Sequence, residues 1–246
     1  MQERDLGARI RGQIVHPDGK RAYVQRLFGR IARRYDVTND LMSAGLHRRW
    51  KRLALRIADV GEGDVLLDLA GGTGDFALRA VRQGRARLVL VGDLTVPMMR
   101  AGRTRTGADR VTWLGCDAQA LPLADGSVDR VLVGYGLRNF GDLTAGLAEI
   151  RRVLRPGGRL VSLDFGRAEP AWLDRVYLRW LELSTAAAGW MLHRDVESYR
   201  YIPESLRQYP AQRGVTEVMQ RLGFVRCGHV DLVYGAMAIN FGEAPA

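Results

Sequence analysis

A glycine-rich loop follows an apolar run and is the strongest sign of a binding site in this sequence. Residues 65–69 read Val-Leu-Leu-Asp-Leu, and residues 70–75 read Ala-Gly-Gly-Thr-Gly-Asp. The glycines let the backbone turn sharply and approach a ligand closely. Their spacing differs from the dinucleotide-binding pattern, and the Gly-Lys-Ser/Thr of a phosphate-binding loop is absent. With Asp68 before it, the loop suits a ligand that carries a positive charge and an amino group.

Two further aspartates stand where later strands of the predicted sheet end. At Asp93, a carboxylate can accept hydrogen bonds from both hydroxyls of a ribose, although an aspartate there can also simply cap the next helix. At Asp117, followed by Ala118, a carboxylate can accept from an adenine amino group. Asp68, Asp93 and Asp117 together are much more specific than any one motif. They favour a nucleoside ligand.

Alternating strand and helix patterns position these residues. Short apolar runs typical of buried strands lie at 65–69, 88–93, 111–114, 130–135 and 159–165, with helical patterns at about 75–83, 98–103 and 143–154. A helix and two more strands follow from about 215 to 239. The alternation predicts an α/β fold with a doubly wound, seven-stranded, mostly parallel sheet. Ligands of such sheets bind at the carboxyl ends of the strands.

Helical segments are expected around this sheet, within one domain that covers residues 1–246. We divide it into an N-terminal helical cap (1–60), a cofactor-binding core (61–169), a helical lid insertion (170–210), and a C-terminal helix with antiparallel strands (211–246). In the cap, helices are predicted at about 23–35 and 41–60, and the first twenty residues read as a loosely held lead-in.

The composition restricts the class of protein. The net charge is +10, and the basic residues, nearly all arginine, are spread along the whole chain. This favours a solvated basic surface or attraction to an anionic membrane. The two distant cysteines, Cys116 and Cys227, build neither a disulfide framework nor a thiolate metal site, and no metal is expected. A cytoplasmic location is the default.

Longer motifs add a resemblance. With the loop and its aspartates, the chain resembles class I S-adenosylmethionine (SAM)-dependent methyltransferases, and within them the ubiquinone/menaquinone biosynthesis C-methyltransferases. The segments that carry this resemblance are 35–51 (YDVTNDLMSAGLHRRWK), 136–139 (GLRN), 152–158 (RVLRPGG) and 199–205 (YRYIPES). It extends from about Val24 to Gly242. Thr38 and Tyr135 depart from the family pattern, at positions that bear on the substrate more than on the reaction.

The resemblance implies a Rossmann-like class I methyltransferase fold, SAM as cofactor and S-adenosyl-L-homocysteine as product. It also implies that Arg138, Asn139 and Tyr35 face the substrate ring and help to activate it. Together with the reasoning above, the expected cofactor contacts are Asp68, Gly71, Thr73, Gly74, Asp93, Leu94, Asp117, Ala118, Gly134 and Tyr135.

The expected reaction is methylation of a ring carbon of a demethylmenaquinol or related polyprenyl hydroquinol. A ring carbon attacks readily when a neighbouring hydroxyl is deprotonated, so the site needs a proton acceptor and a cation. Arg138 holds its proton too tightly to be the base and is expected to stabilise the anion. Two other interpretations stay open: a structural ion pair for Arg138, and a packing or surface role for His47.

Other functions are open on the sequence alone. The main alternative is a small-molecule methyltransferase of specialised metabolism that acts on a phenolic or polyketide substrate. A nucleic-acid partner is disfavoured, since the Asn/Asp-Pro-Pro-aromatic motif is missing. The intact aspartates argue against a silent scaffold. The aromatic, arginine-rich section 170–209 or the basic N-terminal helices are expected to touch a membrane surface transiently, which would make the protein peripheral. Homodimer formation is left open.

Overall fold

The computed structural model describes residues 9–32, 37, 39, 40, 43, 45–188 and 196–246. Its strands are β1 (Val65–Leu69), β2 (Leu88–Asp93), β3 (Thr112–Gly115), β4 (Val128–Gly134), β5 (Leu154–Phe165), β6 (Val225–Leu232) and β7 (Met237–Glu243). They form one seven-stranded sheet in the order β3-β2-β1-β4-β5-β7-β6. Neighbours from β3 to β5 are parallel, and β7 is antiparallel to both β5 and β6. The predicted fold class is confirmed.

Helices flank the sheet. They are α1 (Pro17–Ile31), α2 (His47–Ala58), α3 (Asp75–Arg82), α4 (Val96–Arg103), α5 (Leu143–Val153), α6 (Ala171–Ala188), α7 (Val196–Gln208) and α8 (Ala211–Arg221), with 3₁₀ turns at Ala108–Arg110 and Leu137–Asn139. Across the described ranges, no helix combines the length and the apolar character needed to cross a bilayer.

The central strands are apolar on both faces because helices cover both faces. All five residues of β1 are buried. Val65, Leu67 and Leu69 belong to one apolar cluster, whereas Leu66 belongs to a second cluster. This alternation follows from the two-residue period of a strand. Two well-packed layers therefore hold the carboxyl end of β1, and with it Asp68, in a fixed position.

The N-terminal segment differs from the prediction. From residue 9 onwards the expected loose lead-in is wrong, because residues 9–14 are helical and Ile10 and Ile14 are buried. These two isoleucines pack in a third cluster with Tyr23 and Leu27 of α1 and with Tyr201 of α7. The cluster joins segments that are far apart in the chain, so local composition carries little sign of it.

Strand β5 also differs, since it begins at Leu154 rather than at Arg159 as predicted. Leu154 pairs with Val128, and the register then shifts before Arg130 pairs with Arg159. The turn residues Pro156-Gly157-Gly158 lie within this irregular part of the strand. These residues predict a turn that precedes the strand, whereas the strand pairing continues through them as a bulge.

Helices α6 and α7 occupy the region where a helical insertion is predicted; residues 189–195 lie outside the described part. The Tyr201 hydroxyl of α7 donates to the Asn139 side-chain oxygen at 2.9 Å, just beyond the end of β4. Glu204 forms an ion pair with Arg11 at 2.9 Å. Helix α7 therefore reaches the carboxyl edge of the sheet. The division into cap, core and lid remains a prediction.

Candidate active site

The glycine loop connects β1 to α3 at the carboxyl edge of the sheet. Gly72 and Gly74 have φ values of +55° and +74°, in the left-handed region that favours glycine. A Cβ at Gly74 would also lie 2.8 Å from the Trp113 ring. The loop is held from β2, because the Gly72 N–H donates to the Asp93 carboxylate at 2.8 Å. These contacts explain the predicted glycines, and Gly71, Gly72 and Thr73 of the loop line the adjoining cleft.

Asp68 lies beneath this loop and is almost completely buried, with 1% of its surface exposed. Its Oδ2 accepts a hydrogen bond from the backbone N–H of Ala77 at 3.0 Å. Burial raises the pKa of Asp68 to about 7, although the Ala77 hydrogen bond and the charge of Lys51 oppose the rise. A buried carboxyl group of this kind is well suited to a cationic amino group, which would favour its charged form.

Asp93 ends β2 and is fixed by two backbone groups. Its Oδ2 accepts from Gly72, and its Oδ1 accepts from the N–H of Thr95 at 2.6 Å. Burial raises the pKa of Asp93, whereas these hydrogen bonds lower it. Each carboxylate oxygen can accept more than one hydrogen bond. The carboxylate is therefore pre-oriented and keeps capacity for two ribose hydroxyls. The carbonyl of the next residue, Leu94, accepts from Gln25 of α1 at 3.1 Å.

Asp117 follows β3 and has a partner that the sequence did not suggest. Its Oδ2 accepts a hydrogen bond from Arg21 of α1, and its Oδ1 accepts from the N–H of Gln119 at 3.0 Å. Arg21 lines the same cleft as Val24 and Phe28. The helical spacing of these three residues was the available signal, but an arginine in an arginine-rich helix does not stand out. An adenine amino group at Asp117 would share the carboxylate with Arg21.

One cleft joins these groups. It encloses about 980 Å³ when the open space at its mouth is counted. Every residue predicted to contact the cofactor lines it except Gly74, which lies behind Thr73 against Trp113: Asp68, Gly71, Thr73, Asp93, Leu94, Asp117, Ala118, Gly134 and Tyr135. Helix α1 covers the cleft from outside the sheet. The carboxyl ends of β1, β2 and β4 and the residues after β3 form its floor.

Lys51 is a second residue that the sequence did not single out. It is buried, and its Nζ lies 2.7 Å from the Asp75 carboxylate at the start of α3. The same ammonium group lies 5.5 Å from the ring centroid of Tyr135. Burial tends to raise the pKa of Asp75, but the charges of Lys51 and two arginines outweigh it and hold the pKa below its usual range. Lys51 therefore places a buried positive charge on the wall of the cleft.

Backbone geometry explains why Gly134 and Tyr135 differ from an ordinary strand end. A Cβ at Gly134 would lie 2.8 Å from the Phe76 ring. Tyr135 has a φ of +58° and is held there by its N–H, which donates to the Leu163 carbonyl at 2.7 Å. The reversal aims the chain from β4 into the turn Leu137–Asn139 and brings Asn139 to the cleft.

Arg138 is buried in an ion pair. Its Nη1 lies 2.9 Å from Asp164 Oδ1 at the end of β5, and its backbone N–H donates to Oδ2 of the same carboxylate at 3.3 Å. The guanidinium also lies 4.6 Å from the centroid of the Phe165 ring. The structural ion pair that the sequence left open is therefore present, and it holds the positive charge at the carboxyl edge.

Asn139 connects the cleft to the helical region. Its Nδ2 donates to the Tyr135 carbonyl at 2.9 Å, while its Oδ1 accepts from the Tyr201 hydroxyl at 2.9 Å. Both ends of the amide are thereby fixed. The third predicted substrate residue, Tyr35, and the divergent Thr38 lie outside the described residues.

Lys20 of α1 is a third residue missed by sequence reasoning. It is half-buried beside the Arg138–Asp164 pair. Burial, together with the nearby Arg138 charge, lowers the pKa of Lys20 to about 8, with Asp164 opposing this shift. In the sequence Lys20 is one basic residue in a polar segment. Its place beside the ion pair follows from the course of α1, which begins at Pro17 and crosses the turn after β4.

His47 does not share this neighbourhood. It is buried at the start of α2, and its Nε2 lies 2.8 Å from Asp40. Burial lowers the pKa of His47, against the opposing effect of the Asp40 hydrogen bond. The packing role left open for this histidine is consistent with these contacts. Within the described ranges, no group of His, Cys, Asp and Glu is arranged to hold a metal ion.

Comparisons with known proteins show the family of the chain. The model of the ubiE/COQ5 methyltransferase family matches residues 17–244. The chain is 43% identical to the ubiquinone/menaquinone biosynthesis C-methyltransferase UbiE of Acidiphilium cryptum, over 91% of each chain. It is 40% identical to UbiE of Paracoccus denitrificans, over 94% of each.

Solved structures resemble the fold. A SAM-dependent methyltransferase from Thermotoga maritima superimposes with a TM-score of 0.62 at 20% identity, covering 89% of this chain and 98% of that one. One from Aquifex aeolicus gives 0.56 at 16% identity, with 79% and 89% covered. These likenesses concern the fold alone, whereas the family match spans nearly the whole sequence. The chain therefore belongs to the ubiE/COQ5 methyltransferase family.

Proposed function

We propose that this protein transfers the methyl group of SAM to a ring carbon of a demethylmenaquinol or related polyprenyl hydroquinol, in menaquinone or ubiquinone biosynthesis. The observation that carries the proposal is the junction at Asn139. This residue lines the carboxylate-bearing cleft and is bonded to Tyr201, beside the buried Arg138–Asp164 pair. In this proposal Asn139 lies between the nucleoside site and a cationic site for an aromatic acceptor. The names of the relatives support the same reaction.

The donor half of the site is assigned residue by residue. Asp68 receives the amino group of the methionine part of SAM, Asp93 the ribose hydroxyls, and Asp117 with Ala118 the adenine. The remaining wall contacts come from Gly71, Thr73, Leu94, Gly134 and Tyr135, while Gly74 keeps the loop close to β3. When bound, SAM supplies a methyl group activated by a sulfonium, and S-adenosyl-L-homocysteine is the product. The chain's contribution is to hold the two reactants in line.

The acceptor half promotes formation of a nucleophilic ring. Arg138 remains protonated and stabilises a phenolate oxygen while Asp164 fixes its orientation. Asn139, clamped between Tyr135 and Tyr201, orients the ring hydroxyl. Lys20, which is half-buried near Arg138 and Asp164, is proposed as the acceptor of the hydroxyl proton. Tyr35 is assigned to the same face of the substrate on the family resemblance. No resident metal takes part in this proposal.

The partners follow from the substrate. A polyprenyl quinol resides in a bilayer, so we propose a cytoplasmic protein that contacts the membrane surface transiently. Nucleic acid is not proposed as a partner, and a homodimer is a separate question that sedimentation would answer. The proposed domain division is that of one methyltransferase domain with a cap (1–60), a core (61–169), a lid (170–210) and a C-terminal unit (211–246).

A product assay tests the reaction. The full-length protein is incubated with SAM and a chemically reduced, short-tailed demethylmenaquinone, and the quinone is analysed by mass spectrometry. The expected product carries one added methyl on the ring carbon, and the oxidised quinone, which lacks the hydroxyl groups, serves as the control. Turnover of a phenolic polyketide without turnover of the quinol would replace this proposal with the specialised-metabolism alternative.

A further inference from the structure

Helix α6 has two apolar faces, and only one of them is covered. On the inner face, Leu181 is buried in the apolar cluster that also contains Val65, Leu67 and Leu69 of β1, and Tyr177 and Leu178 pack against the same cluster. This face accounts for how the helix is held. The other face points away from the core, although Trp180 on this face stacks on the Tyr177 ring at 6.1 Å between centroids.

The outer face of α6 exposes four large apolar side chains. Trp172, Val176, Trp180 and Leu183 have 59%, 57%, 50% and 73% of their surface exposed. They recur every three or four residues and therefore lie on one side of the helix, over about 16 Å. Single exposed apolar residues are ordinary, but a contiguous row with two tryptophans marks an interaction surface.

Positive charge accompanies this row. Arg175 and Arg179 are exposed and lie on the same side of the helix. Asp174 is turned the other way, since it accepts a hydrogen bond from the Ala168 N–H at 3.0 Å. The outer face thus combines tryptophan, aliphatic and arginine side chains. This is the composition of helices that lie in the headgroup region of an anionic bilayer.

A second element extends the face. The turn between β6 and β7 carries Tyr234 and Val233, with 78% and 52% of their surface exposed. The Tyr234 carbonyl accepts from the N–H of Glu169 at 2.9 Å, two residues before α6 begins. Because Met237 pairs with Phe165, this turn lies at the carboxyl end of β5. Both elements therefore project from the edge of the sheet at which the cleft lies.

We propose that the outer face of α6 (Trp172, Arg175, Val176, Arg179, Trp180 and Leu183), with Tyr234, docks the protein on an anionic bilayer so that the site faces the membrane. The proposal rests on the proposed function for its purpose, but its contacts are independent of catalysis. A second copy of the chain is the less favourable occupant. A symmetric contact would bring the paired arginines of two copies close together, and like charges that face each other oppose association.

Vesicle flotation tests the docking. The full chain is mixed with vesicles of phosphatidylcholine alone or of equal parts phosphatidylcholine and phosphatidylglycerol. Wild type is expected to float with the anionic vesicles only. The variant Trp172→Ser/Trp180→Ser is expected to bind at least roughly tenfold more weakly, because its tryptophans no longer enter the interface. The variant Arg175→Gln/Arg179→Gln should lose about tenfold on anionic vesicles, since each arginine contributes modestly near a charged surface.

Matched controls lie at the opposite edge of the sheet. Leu88 and Val225 are exposed apolar residues at the starts of β2 and β6, and Arg82 and Arg85 are exposed arginines near the end of α3. The variant Leu88→Ser/Val225→Ser also replaces two exposed apolar side chains with serine, and Arg82→Gln/Arg85→Gln makes the same charge change as the α6 arginine variant. Both should float like wild type. Thermal melting of every variant shows that the fold is retained.

Two results would overturn the docking. One is flotation that is unaffected by the tryptophan and arginine substitutions. The other is a dimer, seen by sedimentation, that the tryptophan substitutions dissociate while vesicle binding is unchanged. The reaction is tested separately with a water-soluble short-tailed quinol, whose methylation the α6 variants should leave unchanged. Floating protein that never methylates a quinol would refute the proposed function and leave the docking intact.

Discussion

The two halves of the candidate site are built differently. On the donor side, Asp68 and Asp93 stand at strand ends and are held by backbone N–H groups of nearby residues. On the acceptor side, Arg138 and Asn139 are held by side chains that come from other elements, namely Asp164 of β5 and Tyr201 of α7. Asp68 and Asp93 are thus fixed by backbone groups of the sheet and its loops, although Asp117 of the same half also contacts Arg21 of α1. The acceptor half depends on side chains from other elements, one of them in helix α7. Substitutions should separate the two halves.

The largest expected effect concerns Arg138. Arg138→Met should lower kcat for quinol methylation roughly 100- to 1,000-fold, because the phenolate loses its cation. It also leaves Asp164 buried without its partner, which should cost about 3–5 kcal/mol of unfolding free energy. SAM affinity, measured by calorimetry, should remain within about threefold of wild type, since the donor half is untouched.

The double variant Arg138→Met/Asp164→Leu distinguishes catalysis from structure. Removing both charges should restore much of the stability, because no buried carboxylate is left unpaired. Activity should stay low if Arg138 stabilises the phenolate. Recovery of kcat together with stability would show instead that the ion pair is only structural.

The next largest effect should fall on the donor half alone. Asp93→Asn should weaken SAM binding roughly 100-fold, because the charge that strengthens its hydrogen bonds is lost and an amide N–H₂ faces backbone donors. A matched control is Asp142→Asn, which makes the same change in a carboxylate that caps α5 by accepting from Thr144 and Ala145. Calorimetry that finds the two variants alike would show that Asp93 does not bind the cofactor.

This contrast also explains how much the sequence could predict. The donor half could be predicted because Asp68, the glycine loop and Asp93 lie in short segments, and the strand pattern of these segments determines their positions. The bond between Asn139 and Tyr201 joins residues 62 positions apart, and the pair of Arg11 with Glu204 joins residues 193 apart. No local sequence pattern predicts contacts between residues so far apart in the chain.

Three cations near the site could not be predicted for a related reason. Lys20, Arg21 and Lys51 belong to a chain with 37 lysines and arginines, so charge alone does not single them out. Their positions near the site follow from the packing of α1 and α2 against the sheet, which no local pattern predicts. Most strand positions, in contrast, were predicted to within a few residues, because buried parallel strands have a distinctive composition.

A smaller, pH-dependent effect is expected at Lys20. If Lys20 accepts the proton, kcat should rise as the pH increases through about 8, where the amine loses its charge. Lys20→Met should lower kcat about tenfold at pH 9 and flatten this rise, and Lys20→Arg should do the same because arginine stays protonated. An unchanged pH profile in Lys20→Met would remove Lys20 from the mechanism.

Lys20→Met should have opposite effects on activity and on stability. The folded-state pKa of Lys20 is about 8, below the ordinary value of 10.5, so the unfolded chain binds more protons between these values. Folding is therefore disfavoured at pH 7 and gains stability as the pH rises from 8 to 10.5. Lys20→Met should raise the unfolding free energy at pH 7, by about 3 kcal/mol at most. Urea titrations at pH 7 and pH 10 should show this advantage shrink.

The smallest expected effect is the release of a fraction of a proton from Asp68 when SAM binds. Its folded-state pKa is about 7, raised from 3.8 mainly by burial. Without ligand, folded Asp68 therefore keeps a proton between these two pH values, whereas Asp68 of the unfolded chain releases it. This proton binding favours the folded state at low pH, and the free energy of unfolding decreases as the pH rises to 7. A cationic amino group bound beside Asp68 would lower its pKa again. SAM binding near pH 7 should then release about half a proton.

Calorimetric titrations in buffers of different ionisation enthalpy measure that release. Asp68→Asn should abolish it, because the amide does not titrate in this range, and should weaken SAM binding. The Arg138→Met/Asp164→Leu variant should release the same fraction as wild type, since its changes lie in the acceptor half. If both variants lost the proton release equally, the two halves would titrate as one coupled network. The division of the site into a donor half and an acceptor half would then be wrong.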